Sequence, residues 1–333
     1  MRVVDTHSED PKEDTQQSSA TQVEDMSYTD ASVNTPDNVL PVAIKPKLAF
    51  DHGGFRAKDV RSNDDRGHVV IGEARFKTPS CYTRAVLLGL TELDLNILRI
   101  KAEVRSVADD RAMVNLTTWA DTTHYGSGCS WLSLPLDDDD IQWGRYHTTE
   151  PHPTSPPEQK TSRRITFERP YAAPPRVAVW LDAVDSGGAG RVARVKVYAD
   201  TVSCEGFALH LDAWHDSQLR SAGATWLAHS AGRTDVRSGA FEIKDIRPAS
   251  APRHRNRGRV SWGPPAMACP PRVFTALCML DFNTSKNIRL VMSTDEVTTT
   301  GMCWTLQSWD DTVLYQAGAV FIALEGDEES VSA

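Results

Sequence analysis

The sequence of 333 residues contains no apolar run long enough to span a bilayer, for which a helix needs about 20 consecutive apolar residues. Its opening stretch, Met1 to Asp14, is too polar for the apolar centre of a secretory leader. These absences argue against membrane insertion and predict a soluble chain, cytoplasmic or exported without a leader. Basic residues are in deficit: 36 Lys and Arg stand against 45 Asp and Glu, for a net charge of -9. Neutralising a phosphate backbone needs the opposite balance, so nucleic acid is not an expected partner. The six cysteines (Cys81, Cys129, Cys204, Cys269, Cys278, Cys303) lack Cys-x-x-Cys spacing, which fits isolated thiols better than a zinc site or a dense disulfide framework. No Gly-x-Ser-x-Gly elbow, no His-Glu-x-x-His pair and no recurring pair of carboxylates is found. The run Asp137 to Asp140 lacks the alternating spacing that wraps calcium. We therefore expect no catalytic residue, no metal and no cofactor.

What the sequence does contain is a repeat. Ninety-five residues separate Trp119 from Trp214 and Trp214 from Trp309. The same spacing links Arg99, Arg194 and Arg289, then Gly128, Gly223 and Gly318, then Trp131, Trp226 and Phe321. Upstream of each arginine stands a shared pattern, Val-x-x-x-Leu-x-x-Leu/Val-Asp, ending at Asp94, Asp185 and Asp281. Only the stretch between that aspartate and the arginine changes length, as a surface turn between fixed strands does. The expected organisation is a disordered acidic tail over 1–40, repeats over 41–135, 136–230 and 231–326, and an acidic tail over 327–333. The tail composition, rich in Asp, Glu, Ser, Thr and Gln, cannot offset the entropy of ordering. Asp137 to Arg164, with its acidic run and four prolines, reads as a linker or long loop, and the arginine-rich stretch Arg247 to Arg259 as an irregular basic loop.

Within the repeats the apolar residues alternate. Leu98, Ile100, Ala102 and Val104 would face one side, with Arg99, Lys101, Glu103 and Arg105 on the other; Phe207, Leu209, Leu211 and Ala213 alternate likewise. No comparable apolar stripe recurs at helical spacing. The predicted fold is all-β: three tandem six-stranded antiparallel β-sandwiches. Gly188 to Ala193 imitates a dinucleotide fingerprint, but the residues after it alternate as a strand instead of opening a helix, so it reads as a hairpin loop. Trp119, Trp214, Trp309, Trp131 and Trp226 are assigned to the core, because packing alone explains their recurrence.

Repeat two carries a wider pattern: Ile165-Thr166-Phe167, Tyr171, Pro174-Pro175-Arg176-Val177, Ala193-Arg194-Val195, Gly206-Phe207, Trp214-His215-Asp216 and Trp226-Leu227-Ala228. It resembles the H-type lectin family, known from snail agglutinins and the C-terminal domain of discoidins. With the looser matches of the other repeats, the resemblance spans about residues 42 to 325. It implies six-stranded sandwiches that assemble as trimers and bind galactose or N-acetylgalactosamine without metal near subunit boundaries; three fused copies then imply an intramolecular pseudo-trimer. It also implies a ligand set: an arginine on a central strand, a histidine after the tryptophan, a tyrosine six residues past that tryptophan, and a loop aspartate. Carried over, the arginine is Arg99, Arg194 and Arg289; the histidine is His215; the tyrosine is Tyr125 and Tyr315; and the aspartate is Asp64 or, as our choice, Asp65. The remaining positions are Ala120, Asp310 and Arg220, so no single repeat holds the full set.

Each of these residues also has a structural reading. The arginines suit ion pairs on a sandwich surface, the tyrosines suit packing on a sheet, and His215 suits a satisfied polar position. Asp121, Asp216 and Asp311, two after each tryptophan, suit turns that bond their own backbone. The Arg253 to Arg259 cluster suits either an anionic glycan or a mobile loop. Two functions are compatible with these residues. One is a metal-independent lectin whose partners are glycans or glycoproteins and which presents its guanidinium groups outward; the other is an adhesion scaffold whose sugar sites have decayed.

Overall fold

The structure, a computed structural model, describes residues 50–62, 64–77, 84–135, 138–151, 153–186 and 192–325. Both expected tails, Cys81 and most of the glycine-rich loop before Val192 lie outside the described residues. Among the described residues there are eighteen strands, two single-turn 3-10 segments and no α-helix. Repeat one supplies β1 (Asp51–Arg56), β2 (Val69–Arg75), β3 (Arg84–Leu95), β4 (Leu98–Val107), β5 (Arg111–Thr117) and β6 (His124–Pro135). Repeat two supplies β7 (Gln142–His147), β8 (Lys160–Thr166), β9 (Arg176–Ser186), β10 (Val192–Asp200), β11 (Gly206–Asp212) and β12 (Leu219–His229). Repeat three supplies β13 (Val236–Glu242), β14 (Arg255–Ser261), β15 (Arg272–Asn283), β16 (Ile288–Thr298), β17 (Gly301–Gln307) and β18 (Val313–Leu324).

The alternation read from the sequence is present on the outer strands: β2 runs exposed-buried-exposed throughout. The inner strands differ. In β9 every residue from Ala178 to Ser186 is buried, because both of its faces are covered.

The three sheets are antiparallel and six-stranded, with orders β1-β6-β3-β16-β17-β14, β13-β18-β15-β10-β11-β8 and β2-β5-β4-β9-β12-β7. Each sheet therefore takes three strands from one repeat and three from another. The shared edges are β4 with β9, β10 with β15, and β16 with β3, which link the repeats in a closed cycle. We refer to these as the one–two, two–three and three–one junctions.

The strands β3, β9 and β15 also touch one another. At the residue preceding the shared leucine the three repeats carry Gly89, Trp180 and Ala276. Trp180 is fully buried, donates its indole N–H to the Leu88 carbonyl at 2.9 Å, and packs on Phe274 with ring centroids 5.1 Å apart. A Cβ on Gly89 would fall 2.3 Å from the Ala276 Cβ and 2.6 Å from the Trp180 ring. One large side chain fills the space, and two small ones make room for it.

A second device recurs once per repeat. Gly53, Gly144 and Gly239 face Trp131, Trp226 and Phe321 across neighbouring strands, and a Cβ on any of them would come within 2.8 Å of the ring. The aromatic at the end of each repeat thus lies flat across a glycine and closes the core.

Several expectations need correction. Asp137 to Arg164 is not wholly a linker, since it contains β7, paired along its length with β12. Asp138 and Asp140 are not merely solvated: both pair with Arg233, at 2.8 and 3.4 Å. The Arg247 to Arg259 stretch contains β14, and Arg247 is buried, donating to the carbonyls of Leu314 and Tyr315 at 3.0 and 2.9 Å. Composition suggested loops in both places, but strand pairing and ion pairs satisfy the polar groups that composition alone leaves open. Finally, Trp131 and Trp226 are buried, whereas Trp119, Trp214 and Trp309 are only half-buried. Trp214 still packs against the core, whereas Trp119 bonds across a junction to Asp185.

Candidate functional site

Each candidate arginine lies on the strand that joins two repeats. The register sets Arg99 opposite Asp185, Arg194 opposite Asp281 and Arg289 opposite Asp94. The Nε groups meet these carboxylates at 3.4, 3.1 and 3.5 Å. The aspartate that ends the shared pattern of one repeat is therefore the ion-pair partner of its neighbour's arginine. Nη1 of each guanidinium reaches the aspartate two residues past the tryptophan of its own repeat: Arg99 to Asp121, Arg194 to Asp216 at 2.8 Å and Arg289 to Asp311 at 2.7 Å. The constant offset of 22 residues between Arg and Asp was present in the sequence and is the signal that identifies this pair.

The aspartates are aimed by a tight turn. The N–H groups of Thr122, Ser217 and Thr312 donate to the carbonyls of Trp119, Trp214 and Trp309 at 3.2–3.3 Å. The residue after each tryptophan, Ala120, His215 or Asp310, has φ of +56°, the left-handed region that residues other than glycine seldom occupy. Asp121, Asp216 and Asp311 lie in this turn as expected, Asp121 bonding its own backbone, and each in addition accepts from the arginine of its repeat. Those hydrogen bonds hold the carboxyls of Asp121 and Asp311 below the ordinary range. Burial pushes those of Asp94 and Asp281 upward, opposed by Arg289 and Arg194 respectively.

The three junctions share this frame and differ in what surrounds it. At the one–two junction the Arg99 side chain is 7% exposed and held by two carboxylates, and Trp119 donates its indole N–H to Asp185 at 3.3 Å. Outward presentation of the guanidinium does not hold there. The flanking positions carry Ala120 and Arg220, the latter close enough to act electrostatically on Asp121. At the two–three junction Arg194 is more open, at 16%, and His215 is exposed and within electrostatic reach of Asp281. Tyr315 joins it from repeat three: its hydroxyl accepts from the Asn283 amide at 3.4 Å, and Asn283 pairs with Val192, two residues from Arg194. At the three–one junction Arg289, 13% exposed, meets Asp310 at 3.2 Å as well as Asp311, and Lys286 adds a second cation on Asp311 at 3.3 Å. Arg66 acts on Asp94 and stacks over the Tyr125 ring at 4.6 Å. Asp65, the neighbour of Arg66, is exposed and accepts the Gly67 N–H at 2.8 Å within its own loop.

The structure thus regroups the sequence-selected residues. Tyr315 of repeat three reaches the two–three junction through Asn283, which pairs two residues from Arg194; Tyr125, under Arg66, lies toward Asp94 and Arg289, not beside Arg99 in a site belonging to repeat one. Asp94, Asp185 and Asp281 were visible as a pattern but not as arginine partners, because strand pairing between repeats cannot be read from spacing within one.

A frame of arginines and carboxylates recurring at three strand-sharing junctions is now joined by a match to a known domain. The H-type lectin domain matches residues 85–134, 162–229 and 268–324, together more than half of the chain. The chain belongs to the H-type lectin domain family. This is a family of carbohydrate-binding and typically non-catalytic domains, and the matched segments run from β3 to β6, β8 to β12 and β15 to β18 of the respective repeats. Among solved structures the chain is similar to discoidin II of Dictyostelium discoideum, at 12% identity and a TM-score of 0.25, over 50% of this chain and 78% of that one. No curated protein matches it. No helix among the described residues is long and apolar enough to cross a membrane.

Proposed function

We propose that this H-type lectin binds galactose- or N-acetylgalactosamine-type glycans without metal, that its three repeats act as an intramolecular counterpart of a trimer, and that the two–three junction is the principal sugar site. The observation that carries this reading is that Arg194 and His215 both act on Asp281 of the next repeat, where Tyr315 bonds Asn283 on the strand paired with that of Arg194. A sugar presents adjacent hydroxyls and an apolar ring face. Arg194 supplies planar donors, Asp216 and Asp281 accept from hydroxyls, and His215 can donate or accept beside them. The three–one junction, with Arg289, Tyr125 and the Asp65 loop, is a second and different site. Two linked sites raise the effective concentration of the second binding event and suit the chain to adhesion on glycan-bearing surfaces.

A second reading is favoured at one place. Arg99 is shielded and pairs with Asp121 and Asp185, so the one–two junction acts as scaffold and its arginine as a structural ion pair. A glycan array followed by titration calorimetry tests both assignments. We expect a galactose-type binder whose affinity drops about 30-fold in Arg194→Ala, the scale of losing a charge-assisted hydrogen bond. Absence of any binder from folded protein, or unchanged binding in Arg194→Ala, defeats the assignment.

A further inference from the structure

A further site arises where repeat three departs from the other two. In each repeat an aromatic after the first strand of the outer half-sheet packs on the core-closing aromatic: Phe76 on Trp131, Phe167 on Trp226 and Trp262 on Phe321, with centroids 5.8, 6.1 and 5.1 Å apart. The segment following that aromatic is latched to the edge strand in repeats one and two. Asp51, buried, accepts the Lys77 N–H. Gln142, also buried, accepts the Arg169 N–H at 3.0 Å and donates to the Arg169 carbonyl at 2.6 Å. Both residues stand two before the glycine that faces the aromatic, and in repeat three this position is Arg237.

This latch does not form there, and the Gly263 N–H donates to Ser261 Oγ at 3.2 Å instead. A guanidinium has no acceptor, and the segment after Trp262 reads Gly263-Pro264-Pro265, whose prolines have no N–H. Arg237 instead donates to the backbone carbonyls of Arg233 and Val236. A cavity of about 600 Å³ lies between β13 and this segment.

Its chemistry is unusual for a chain of net charge -9. Three arginines, Arg176, Arg233 and Arg237, line it, and no carboxylate does. Arg233 is neutralised by Asp138, Asp140 and Asp235. Arg176 and Arg237 form no ion pair with any carboxylate among the described residues. His229, buried and held below its ordinary range by that burial, contacts Ser238 Oγ at 2.9 Å, so the wall also carries neutral polar groups. Val260, Pro264 and Phe321 add apolar surface to the lining.

We infer that this cavity binds an anionic sugar unit, a hexose bearing a carboxylate or a sulfate ester, with its oxyanion received by Arg176 and Arg237 and its ring against the apolar wall. A guanidinium pair suits either oxyanion through parallel N–H donors, and the volume lies in the range of small-molecule sites. The site shares no residue with the Arg194 junction and stands or falls independently of it.

Titration of the full chain with glucuronic acid, glucose 6-sulfate and neutral glucose, none of them a galactose-type ligand of the Arg194 junction, tests the inference. We expect one or both anions to bind, the stronger identifying the oxyanion, and Arg176→Gln and Arg237→Gln each to weaken that binding by about tenfold. Arg194→Ala should leave it unchanged. Arg176 is exposed, so its variant reports even if Arg237→Gln disturbs folding, which thermal melting would reveal. Absence of binding by either anion, equal binding in Arg176→Gln, or loss in Arg194→Ala overturns the inference.

Discussion

The one–two and two–three junctions are built on the same strand pairing, the same turn and the same arginine between two aspartates, yet they present different surfaces. Around Arg99 the variable positions are Ala120 and Arg220, and the guanidinium is shielded; around Arg194 they are His215 and Tyr315, and it is partly open. Recurrence of Arg and Asp in all three repeats therefore reports the need to join repeats. On the proposed reading, what separates a sugar-binding junction from a scaffolding one is the residues around this frame that do not recur. In this fold an invariant polar residue can be structural while the chemistry varies beside it.

The sharpest way to break this comparison is to remove the two arginines separately. Arg99→Ala leaves Asp185 buried without its counter-ion, with only the Trp119 indole N–H donating to it, and should destabilise the chain by about 3 kcal/mol, with Arg194→Ala costing roughly half of that because its ion pair is more solvated. Denaturant unfolding checks this, and equal losses would mean that exposure does not distinguish the junctions.

A somewhat smaller effect should separate repeat one by pH. His124 occupies the position filled by Leu219 and Leu314 in the other repeats. Burial, with Arg61 adding to it, lowers its pKa to about 4 from an ordinary value near 6.5. Its folded pKa lies below its unfolded one, so the unfolded state binds more protons between those values. Its contribution is present above pH 6.5 and is lost as the pH falls toward 4, by about 3 kcal/mol at most. His124→Leu should flatten the decline of unfolding midpoint over this window; an unaltered decline would assign the acid sensitivity elsewhere.

The smallest effect is a gain. Ala120→His with Arg220→Tyr would give the one–two junction the flanking residues of the two–three junction. We expect weak, calorimetrically detectable binding of the sugar that binds at Arg194, measured in an Arg194→Ala background. No gain would show that the shielding of Arg99, and not its neighbours, closes that site.

Much of this was legible in advance, for specific reasons. Strands could be read because one face of β2, β4 and β11 meets solvent or polar neighbours, which imposes alternation on the sequence. Two assignments failed where composition outweighed pairing. Gln142 to His147 follows an acidic run, and Arg255 to Ser261 is rich in arginine, yet each is an edge strand whose backbone bonds are satisfied by a neighbour. The core assignment suits Trp214, which packs against the core, but not Trp119, which bonds across a junction, because recurrence looks the same whether a ring packs on a core or supports a junction.

The sequence by itself determined that one sandwich is written three times, with arginine, tryptophan and glycine in step, because burial, turns and glycine clearances restrict residue type locally. Only the tertiary structure decided which residues from different repeats share a site. That choice depends on the register between β4 and β9, β10 and β15, and β16 and β3, and on Trp180 filling the space left by Gly89 and Ala276. Such contacts join residues about ninety or more positions apart, and no spacing within a single repeat encodes them.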